Sequence, residues 1–372
     1  MIIGIDVSAI PYGTGVSSYT LNLVRHLLRI DKTNIYKLFF SSLRQPLPPE
    51  IQELKGKKNV KVFHFRLPPT FLEVIWNQLY VLPIELFIGK CDVFHTWDWY
   101  QPPSLNAKIV TTVHDLIPFL YPQWQHPKTI TTFKRKFNQA TRHPTSFICV
   151  SQNTRTDLLK LFPNINSKNI TIIYEAAEDK YCPQTKDKIQ KVKKIYGLNS
   201  FILAQGTREP RKNLDRLIKA FIKFKELHPQ NQTELAITGK YGWGQDITHP
   251  QHSYIKILGY IPEKDMPSLH SAALCLAYPS LYEGFGLPVI KSLKVGTPVI
   301  TSNTSSLPEV AGNATILVNP TSVKEITLAL TKIITQSNLR QQLKSISLAQ
   351  AKKFSWTITA RQTLSLYQSL IK

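Results

Sequence analysis

Acidic residues are scarce in this sequence. The 372-residue chain has 24 Asp and Glu residues against 46 Lys and Arg residues, which gives a formal net charge of +22. An excess of this size indicates a polyanionic partner, and nucleic acid, an anionic membrane face and phosphorylated substrates all fit that description. Hydrophobic residues make up 42% of the chain. That share is typical of a folded globular protein and argues against intrinsic disorder.

Cysteine is also rare. The four cysteines, Cys91, Cys149, Cys182 and Cys275, lie far apart in the sequence. Their spacing matches no metal-binding motif, and a disulfide framework is not expected in a chain of this length. Cys149 and Cys275 fall within apolar, strand-like runs, which predicts that both are buried free thiols.

Long apolar runs are absent as well. No uninterrupted run approaches the roughly 18 residues that a membrane-spanning helix needs. The first residues, MIIGIDVSAI, lack a basic segment and are typical of a first β-strand, not of a signal peptide. We therefore expect a cytoplasmic location, with peripheral contact to the inner membrane face left open.

Short apolar strands alternate with helical segments along the whole chain. At roughly 150 residues per domain, the length predicts two domains. The alternation predicts an α/β fold with parallel sheets and helices on both faces. We place the domains at residues 1–178 and 179–353, with a linker at 175–194 and a C-terminal helix at 354–372. The predicted strands are 2–7, 36–40, 60–65, 92–95, 109–114, 147–150, 201–205, 235–239, 255–260, 274–278, 299–301 and 316–318.

The stretch from Tyr278 to Thr301, YPSLYEGFGLPVIKSLKVGTPVIT, has the order strand, glycine loop, helix and strand. Pro288 suits the first turn of a helix, and Gly296 suits a left-handed cap at its end. This order presents backbone N–H groups to an anion at the helix start. Glu283 lies in the loop, and its carboxylate can only accept hydrogen bonds, which suits a ligand rich in hydroxyl groups.

Two more glycine loops follow predicted strands. In GTREPRKN, Arg208, Arg211 and Lys212 crowd the start of a helix predicted over 214–227, where the helix dipole disfavours cations. This cluster indicates an anionic ligand, and a solvated loop is the alternative. Gly13 and Gly15 follow the first strand and predict either a phosphate-facing turn or only a tight turn.

His114 stands at the end of the strand predicted over 109–114. A single histidine is more often structural than functional. Ligands of open parallel sheets, however, bind outside the carboxyl ends of the strands. This placement favours a functional role for His114.

Two segments of the first domain offer surfaces to a membrane. Residues 71–88, FLEVIWNQLYVLPIELFI, are apolar on nearly every side. We favour a buried helix broken near Pro83 over an exposed patch for a lipid acceptor. Residues 127–143 predict a basic amphipathic helix that includes Lys134, Arg135 and Lys136. Such a helix either lies on anionic lipid or faces solvent, and both interpretations stay open.

The segment EGFGLPVI-K-SLKVGTPVI closely resembles the donor-site signature of the family-4 retaining glycosyltransferases. In that signature a glutamate, seven residues and a second glutamate bracket a sugar nucleotide, and Glu283 matches the first. The run HDLIP resembles the family's motif in which a histidine, here His114, faces the donor sugar. GTREPRKN resembles the diphosphate-binding loop, with Lys212 assisted by either Arg208 or Arg211. The resemblance spans nearly the whole chain.

The resemblance implies the GT-B fold: two Rossmann-like doubly wound domains facing a central cleft, with a C-terminal helix that crosses back to the first domain. The first domain would bind the acceptor and the second the nucleotide sugar. The candidate catalytic residues are Glu283, His114, Arg208, Arg211 and Lys212. The candidate substrate-binding residues are Gly13, Gly15, Gly206, Gly284, Phe285, Gly286, Leu287 and Lys291.

The implied reaction moves a hexosyl unit from a nucleotide sugar to a glycan or lipid-linked acceptor, with retention, in polysaccharide or cell-surface glycan synthesis. GTREPRKN and the later loop GKYGWG look most like family members that use GDP-mannose, which favours that donor. Cations at a helix start can stabilise the leaving diphosphate. The chain has no aspartate–any–aspartate pair to hold a metal, so we expect a metal-independent enzyme without a cofactor.

Lys291 departs from the signature because it occupies the position of the second glutamate, which accepts hydrogen bonds from ribose hydroxyls in the family. An ammonium group has three donors and no acceptor, so it cannot reproduce those bonds. Weaker donor binding, a different nucleotide preference and a catalytically degenerate nucleotide-sugar-binding protein all remain open. A basic nucleic-acid-binding protein is a further alternative, but the basic residues are scattered over both halves, so no nucleic-acid partner is expected.

Overall fold

The computed structural model describes residues 1–242 and 252–372. Over these residues the chain forms two compact units. The first unit contains Met1–Glu175 together with Trp356–Lys372, and the second contains Ala176–Ser355. Each unit has its own parallel β-sheet with connecting helices, so the predicted α/β class with two doubly wound sheets is confirmed.

The sheet of the first unit has seven strands. They are β1 (Ile2–Asp6), β2 (Ile35–Ser41), β3 (Val60–Phe65), β4 (Val93–Thr96), β5 (Lys108–Val113), β6 (Thr145–Cys149) and β7 (Ile170–Ile172). Neighbouring strands are parallel in the order β3-β2-β1-β4-β5-β6-β7. The strand order therefore reverses between β1 and β4.

The sheet of the second unit has six strands. They are β8 (Phe201–Gln205), β9 (Glu234–Thr238), β10 (Ile255–Gly259), β11 (Cys275–Tyr278), β12 (Val299–Ser302) and β13 (Thr315–Val318). They too are parallel, in the order β10-β9-β8-β11-β12-β13, and the order reverses between β8 and β11. Ligands of such sheets bind outside the carboxyl ends of the strands at these reversals.

Helices connect most of the successive strands, and the last three helices follow β13. They are α1 (Gly15–Ile30), α2 (Pro49–Gln52), α3 (Pro69–Leu72), α4 (Glu85–Ile88), α5 (Ile117–Leu120), α6 (Pro127–Arg142), α7 (Gln152–Leu161), α8 (Lys186–Tyr196), α9 (Leu214–Leu227), α10 (Met266–Ala272), α11 (Leu287–Val295), α12 (Leu307–Ala311), α13 (Val323–Thr335), α14 (Ser337–Ala351) and α15 (Trp356–Ser369). Among these helices, none is both long and apolar enough to cross a membrane.

Local sequence explains where these elements begin and end. The strands are short apolar runs because helices cover both faces of a parallel sheet. At α1, the Thr14 and Ser17 side chains each accept a hydrogen bond from the other residue's backbone N–H. Such a capping box satisfies N–H groups that the helix itself leaves unpaired. Gly286 and Gly296 flank α11 with φ angles of 106° and 79°, which favour glycine. The left-handed cap at Gly296 is the one that the sequence predicts.

The predicted linker is partly wrong. Residues 175–194 are rich in charged residues, yet α8 occupies Lys186–Tyr196 and belongs to the second unit. Val192 is the one residue of α8 that is fully buried. Ile189, Val192 and Tyr196 recur at helical spacing within this charged segment. The periodic signal was therefore present, and the high content of charged residues outweighed it in the prediction.

The apolar segment 71–88 is not buried throughout. It contains the end of α3, a π-helix at Glu73–Gln78, a turn and α4. Its buried members, including Leu72, Trp76 and Ile84, join the core of the first unit. Six large apolar side chains are exposed on the other side, so the burial prediction holds for only one face: Phe71, Val74, Leu79, Val81, Leu82 and Leu86.

The basic helix 127–143 forms as predicted, but one of its lysines is buried. Lys136 is fully buried, and its ammonium group donates to Thr111 Oγ1 at 2.6 Å. Arg135 donates to Glu73 Oε1 at 2.7 Å. Lys134 remains exposed. A membrane contact through this helix stays a prediction. Cys149 and Cys275 are buried free thiols, as expected from the sequence.

The C-terminal helix α15 belongs to the first unit, as predicted. Tyr367 is fully buried, and its hydroxyl is hydrogen-bonded to His95 Nδ1 at 2.5 Å. The other ring nitrogen of His95 is hydrogen-bonded to Thr112 Oγ1 at 2.8 Å. Burial, with help from the nearby His114 and Lys136, lowers the pKa of His95 to about 3, so the ring is neutral. Near the start of α15, Trp356 packs against Tyr19 of α1.

We expect Tyr367→Phe to destabilise the first unit. The change leaves Nδ1 of the buried His95 without its partner, which costs about 1–3 kcal/mol. Urea unfolding followed by tryptophan fluorescence should show this, because Trp76, Trp97 and Trp356 lie in that unit. The exposed neighbour Gln368, changed to Ala, is the control. Equal midpoints for both variants would show that this hydrogen bond contributes little.

Candidate functional site

The candidate donor-site residues of the second unit gather where the strand order reverses. The GTREPRKN loop follows β8, and the Glu283 loop follows β11, its neighbour in the sheet. The loop after β9 approaches closely as well, because a Cβ atom on Gly239 would lie 1.9 Å from the Gly206 carbonyl oxygen. Only glycine fits at that contact. Gly206, with a φ of 140°, also lies against the Lys212 side chain.

Glu283 is the centre of this site. The residue is 7% exposed. Its Oε1 accepts hydrogen bonds from Lys212 Nζ at 2.7 Å, Tyr278 OH at 2.7 Å and Ser280 Oγ at 2.6 Å. Among the described residues its Oε2 accepts one hydrogen bond, from Arg211 Nη1 at 2.6 Å. A carboxylate has about four lone-pair sites, so Oε2 retains room for one more donor.

Charge–charge contacts hold Glu283 in its ionised form. Burial acts to raise the pKa of Glu283, but the opposing effects of Arg211 and Lys212 prevail and bring it to about 2. Burial and the neighbouring Arg211 lower the pKa of Lys212, whereas Glu283 opposes that shift. Lys212 also donates to the Tyr278 hydroxyl. The buried cation and carboxylate are therefore each stabilised by the other.

The three cations of GTREPRKN have different surroundings. Arg211 Nε lies 2.6 Å from Glu209 Oε1, so Arg211 pairs with two buried glutamates, Glu209 and Glu283. The Arg208 guanidinium lies 5.7 Å from the centre of the Tyr241 ring. Arg211 and Lys212, rather than Arg208, are thus the cations joined to Glu283. An anionic ligand would share them with the glutamates.

The rest of the Glu283 loop leads into α11. Gly284, Phe285 and Gly286 are buried, and Phe285 packs edge-on against Phe354 at 5.7 Å. Gly286 has a φ of 106°, which favours glycine, and a Cβ atom there would lie 2.8 Å from the Leu307 side chain. Leu287 is the first residue of α11. The positive end of the helix dipole lies there, four residues after Glu283.

Lys291 lies one turn into α11 and is paired. Its Nζ lies 3.0 Å from Glu263 Oε1 and 4.7 Å from the centre of the Tyr181 ring. Tyr181 donates its hydroxyl to the same Glu263 oxygen at 2.7 Å. Lys294, three residues on, donates to the carbonyl oxygens of Ala177 and Glu178. The two lysines therefore bind residues near the start of the second unit to α11.

In the first unit, His114 follows β5, as predicted. Its Nδ1 lies 2.8 Å from Glu175 Oε1. Its Nε2 is buried and has no hydrogen-bond partner among residues 1–242 and 252–372. Burial lowers the pKa of His114, but the acidic side chains of Asp98, Glu175 and Asp115 outweigh it and raise the pKa overall. His114 can therefore carry a proton and donate through Nε2.

A cavity of about 540 Å³ lies at the carboxyl ends of β1 and β4, where the first sheet reverses. Aromatic rings and carboxylates line much of it, among them Trp97, Trp99, Tyr100, Asp6 and Asp98. Burial raises the pKa of Asp6 to about 6 despite hydrogen bonds from Ser8. The buried Trp97 indole N–H has no hydrogen-bond partner among the residues that the structure describes.

The Gly13–Gly15 turn adjoins this cavity. Gly13 has a φ of 64°, which favours glycine, and Gly15 is the first residue of α1. Tyr12 and Thr14, on either side of Gly13, line the cavity. The turn thus borders a mainly aromatic and acidic site. In the second unit, Tyr241 of the predicted GKYGWG loop is described, whereas Trp243 and Gly244 lie outside the described residues.

Sequence reasoning missed several partners of the predicted residues. Glu209 and Ser280 lie close in sequence to Arg211 and Glu283, and an acid or hydroxyl beside a predicted charge was a usable signal. Glu263 is 28 residues from Lys291 and carries no such signal. Among the described residues, no group of three or more His, Cys, Asp or Glu side chains is arranged to hold a metal ion.

Two family models match the chain. The model described as Glycosyl transferases group 1 matches residues 185–348, and the model described as Glycosyltransferase Family 4 matches residues 13–179. The O-antigen chain mannosyltransferase B of Escherichia coli is 29% identical over 373 residues, which cover 96% of this chain and 96% of that protein.

Solved structures share the fold. Sucrose-phosphate synthase from Thermosynechococcus elongatus matches 100% of this chain with 99% of its own, at a TM-score of 0.74 and 18% identity. The Anabaena protein HepE in complex with UDP and glucose matches 99% of each chain, at a TM-score of 0.70 and 16% identity. At these identities the similarity concerns the fold, and it confirms the GT-B class expected from the sequence.

We expect Glu283→Gln to destabilise the second unit. The folded pKa of about 2 lies below the ordinary value of 4.5. The ionised carboxylate therefore contributes about 3 kcal/mol above pH 4.5, and this contribution is lost as the pH falls toward 2. In urea unfolding followed by circular dichroism, the variant should have a free energy of unfolding well below that of wild type at pH 7. The difference in free energy of unfolding between wild type and variant should be about 1 kcal/mol smaller at pH 4.

The control for this experiment is Glu226→Gln, because Glu226 is an exposed glutamate of the same unit. It should unfold like wild type at both pH values. A Glu283→Gln variant whose gap from wild type is the same at pH 7 and at pH 4 would contradict the lowered pKa.

Proposed function

Because the chain belongs to glycosyltransferase family 4, we propose that it transfers a mannosyl unit from GDP-mannose to a glycan acceptor, with retention at the anomeric carbon. The observation that carries the proposal is the buried cluster of Glu283, Arg211 and Lys212 beside the start of α11. The alternative of a degenerate binding protein is less favoured, because this cluster is complete.

Two similarities support the choice of substrates. The relative that matches 96% of the chain is named an O-antigen chain mannosyltransferase, which favours mannosyl transfer in polysaccharide synthesis. The Anabaena structure of the same fold holds UDP and glucose, which favours a nucleotide sugar as the donor class. The guanine base rests on the resemblance of GTREPRKN and GKYGWG to users of GDP-mannose.

The donor diphosphate would bind between the cations and the start of α11. As the bond between the anomeric carbon and the phosphate oxygen breaks, negative charge develops on the leaving diphosphate. The protein holds Arg211, Lys212 and the positive end of the α11 dipole in place before that charge appears. Such preorganised groups stabilise the developing charge without having to rearrange during the reaction. Since these groups supply the positive charge, we propose that the reaction needs no metal ion.

Glu283 would serve the donor in two ways. It orients Arg211 and Lys212 through the hydrogen bonds described above, and its Oε2 can accept one more, from a sugar hydroxyl. Oε1 is already bound by three donors inside the protein, which leaves Oε2 as the acceptor for a ligand. In the first unit, His114 Nε2 would donate to a substrate hydroxyl.

The cavity of the first unit suits a neutral sugar residue of the acceptor. Aromatic faces such as Trp99 bind the apolar faces of pyranose rings, and the Asp6 and Asp98 carboxylates can accept hydrogen bonds from hydroxyl groups. The unpartnered Trp97 N–H could donate to a ring or hydroxyl oxygen. The lining has three carboxylates, Asp6, Glu73 and Asp98, against one lysine, Lys128. This excess of negative charge would disfavour a phosphate, so the cavity favours the glycan part of the acceptor.

We expect Lys212→Ala to weaken binding of GDP by about 1.5–3 kcal/mol, because it removes a charge-assisted hydrogen bond to phosphate. Titration calorimetry with GDP measures the loss. Lys219→Ala, at an exposed position on α9, is the matched control and should bind like wild type. Unchanged GDP affinity in Lys212→Ala would show that the diphosphate does not bind at Lys212.

We expect Trp99→Ala to raise KM for an oligomannoside acceptor about tenfold, equivalent to about 1.4 kcal/mol of binding, with GDP affinity unchanged. Steady-state kinetics at saturating GDP-mannose would measure it. Trp124, which is partly exposed and does not line the cavity, provides the control variant Trp124→Ala. If both variants raised KM equally, the acceptor would not bind in this cavity.

A further inference from the structure

Glu263 lies at the carboxyl edge of the second sheet, four residues after the end of β10. Three donors reach its Oε1: the Tyr181 hydroxyl at 2.7 Å, Lys291 Nζ at 3.0 Å and Lys180 Nζ at 3.3 Å. Within residues 1–242 and 252–372, no hydrogen bond or ion pair reaches Oε2. The Glu263 side chain is 45% exposed. The carboxylate is thus held at one oxygen and can accept through the other.

Other glutamates at this edge are less accessible. Glu283 and Glu209 are buried and paired with the cations of GTREPRKN. Burial acts to raise the pKa of Glu263, but Lys291 and the Tyr181 hydroxyl outweigh it and lower the pKa. Glu263 therefore stays an ionised acceptor at neutral pH, in an orientation set by Lys291 and Tyr181.

The place of Lys291 on α11 brings its partner Glu263 near the proposed donor site. The proposed diphosphate site is at the start of α11, near Leu287, and Lys291 lies four residues further on, about 6 Å along the helix axis. In a nucleotide sugar the ribose is joined directly to the diphosphate, so its hydroxyls lie within a few ångströms of that site. Ribose hydroxyls are donors that need an acceptor, whereas a second phosphate would be repelled by a carboxylate.

We propose that Glu263 accepts hydrogen bonds from the ribose hydroxyls of the donor, and that Lys291 and Tyr181 hold its carboxylate in place. The inference rests on the proposed function, because it assumes a nucleotide at the start of α11. The inference also assigns a function to Lys291. Its side chain has no acceptor, but it positions the carboxylate of Glu263, which comes from the loop after β10. Lys291 is in this sense a positioning residue for donor binding.

A purely structural role for the same contacts makes a different prediction. If Glu263 and Lys291 only fasten residues near Tyr181 to α11, then Glu263→Gln should change stability and leave the preference among nucleotides untouched. Selectivity between ribose and deoxyribose ligands therefore separates the two roles. Thermal unfolding of each variant shows whether the fold is kept.

The test compares GDP with 2′-deoxy-GDP and 3′-deoxy-GDP by titration calorimetry. Wild type should bind GDP about tenfold more tightly than at least one deoxy analogue. Glu263→Gln should bind GDP about tenfold more weakly and discriminate less than twofold against that analogue. Glu226→Gln, at an exposed position of the same unit, should behave like wild type. Full discrimination in Glu263→Gln would overturn the inference and leave the proposed function intact.

Failure of the proposed function has a different signature. If wild type bound neither GDP nor its analogues, the donor assignment would fall, and the inference with it. If wild type bound all three ligands equally, GDP binding would stand and the ribose contact would be refuted.

A charge exchange provides a second, independent test. Lys291→Glu alone places two carboxylates together, and Glu263→Lys alone places two cations together, so each should weaken GDP binding about tenfold or more. The double variant Glu263→Lys/Lys291→Glu restores one carboxylate and one cation and should bind within about threefold of wild type. A double variant no better than either single variant would contradict the proposed pairing.

Discussion

The contact of Glu283 with Lys212 and Arg211 is the interaction on which the second unit's site depends. Lys212 is buried and Arg211 is only partly exposed, so both cations need a nearby anion, and Glu283 pairs with them through its two carboxylate oxygens. The contact also joins the loops that follow β8 and β11, which are adjacent in the sheet at the point where the strand order reverses. One ion cluster thereby orders the loops that would meet a diphosphate.

A second ion pair between a lysine and a glutamate joins two chain segments at Lys291. There the helix carries the cation, and the carboxylate of Glu263 comes from the loop after β10. Tyr181 completes the arrangement from the first residues of the second unit. In both places a lysine with little exposure orients a glutamate. The two differ in access, because Glu283 is buried and Glu263 is partly exposed. Because its side chain is partly exposed, Glu263 is the glutamate of the two that a ligand can reach more easily.

Much of the fold was predictable because it rests on local signals. The strands are apolar, β-branched runs such as Ile2–Asp6, and glycines mark the ends of α11. Failures came where local signals are weak. Helix α8 has only a few apolar residues among many charged ones, and that composition favoured a linker. The segment 71–88 is apolar on most sides, and nothing in its own sequence indicates that Leu79 and Leu86 remain exposed. Burial is decided by neighbours distant in sequence.

The sequence by itself determined the α/β class, the glycine loops and the identity of Glu283, His114 and Lys212 as candidate site residues, since each lies in a motif readable over a few positions. Only the tertiary structure decided the pairings: Arg211 rather than Arg208 with Glu283, Glu175 with His114, and Glu263 with Lys291. The physical reason is that these contacts join residues that are 28 to 72 positions apart in the sequence. Their partners become neighbours only when parallel strands bring their carboxyl ends to one edge of a sheet.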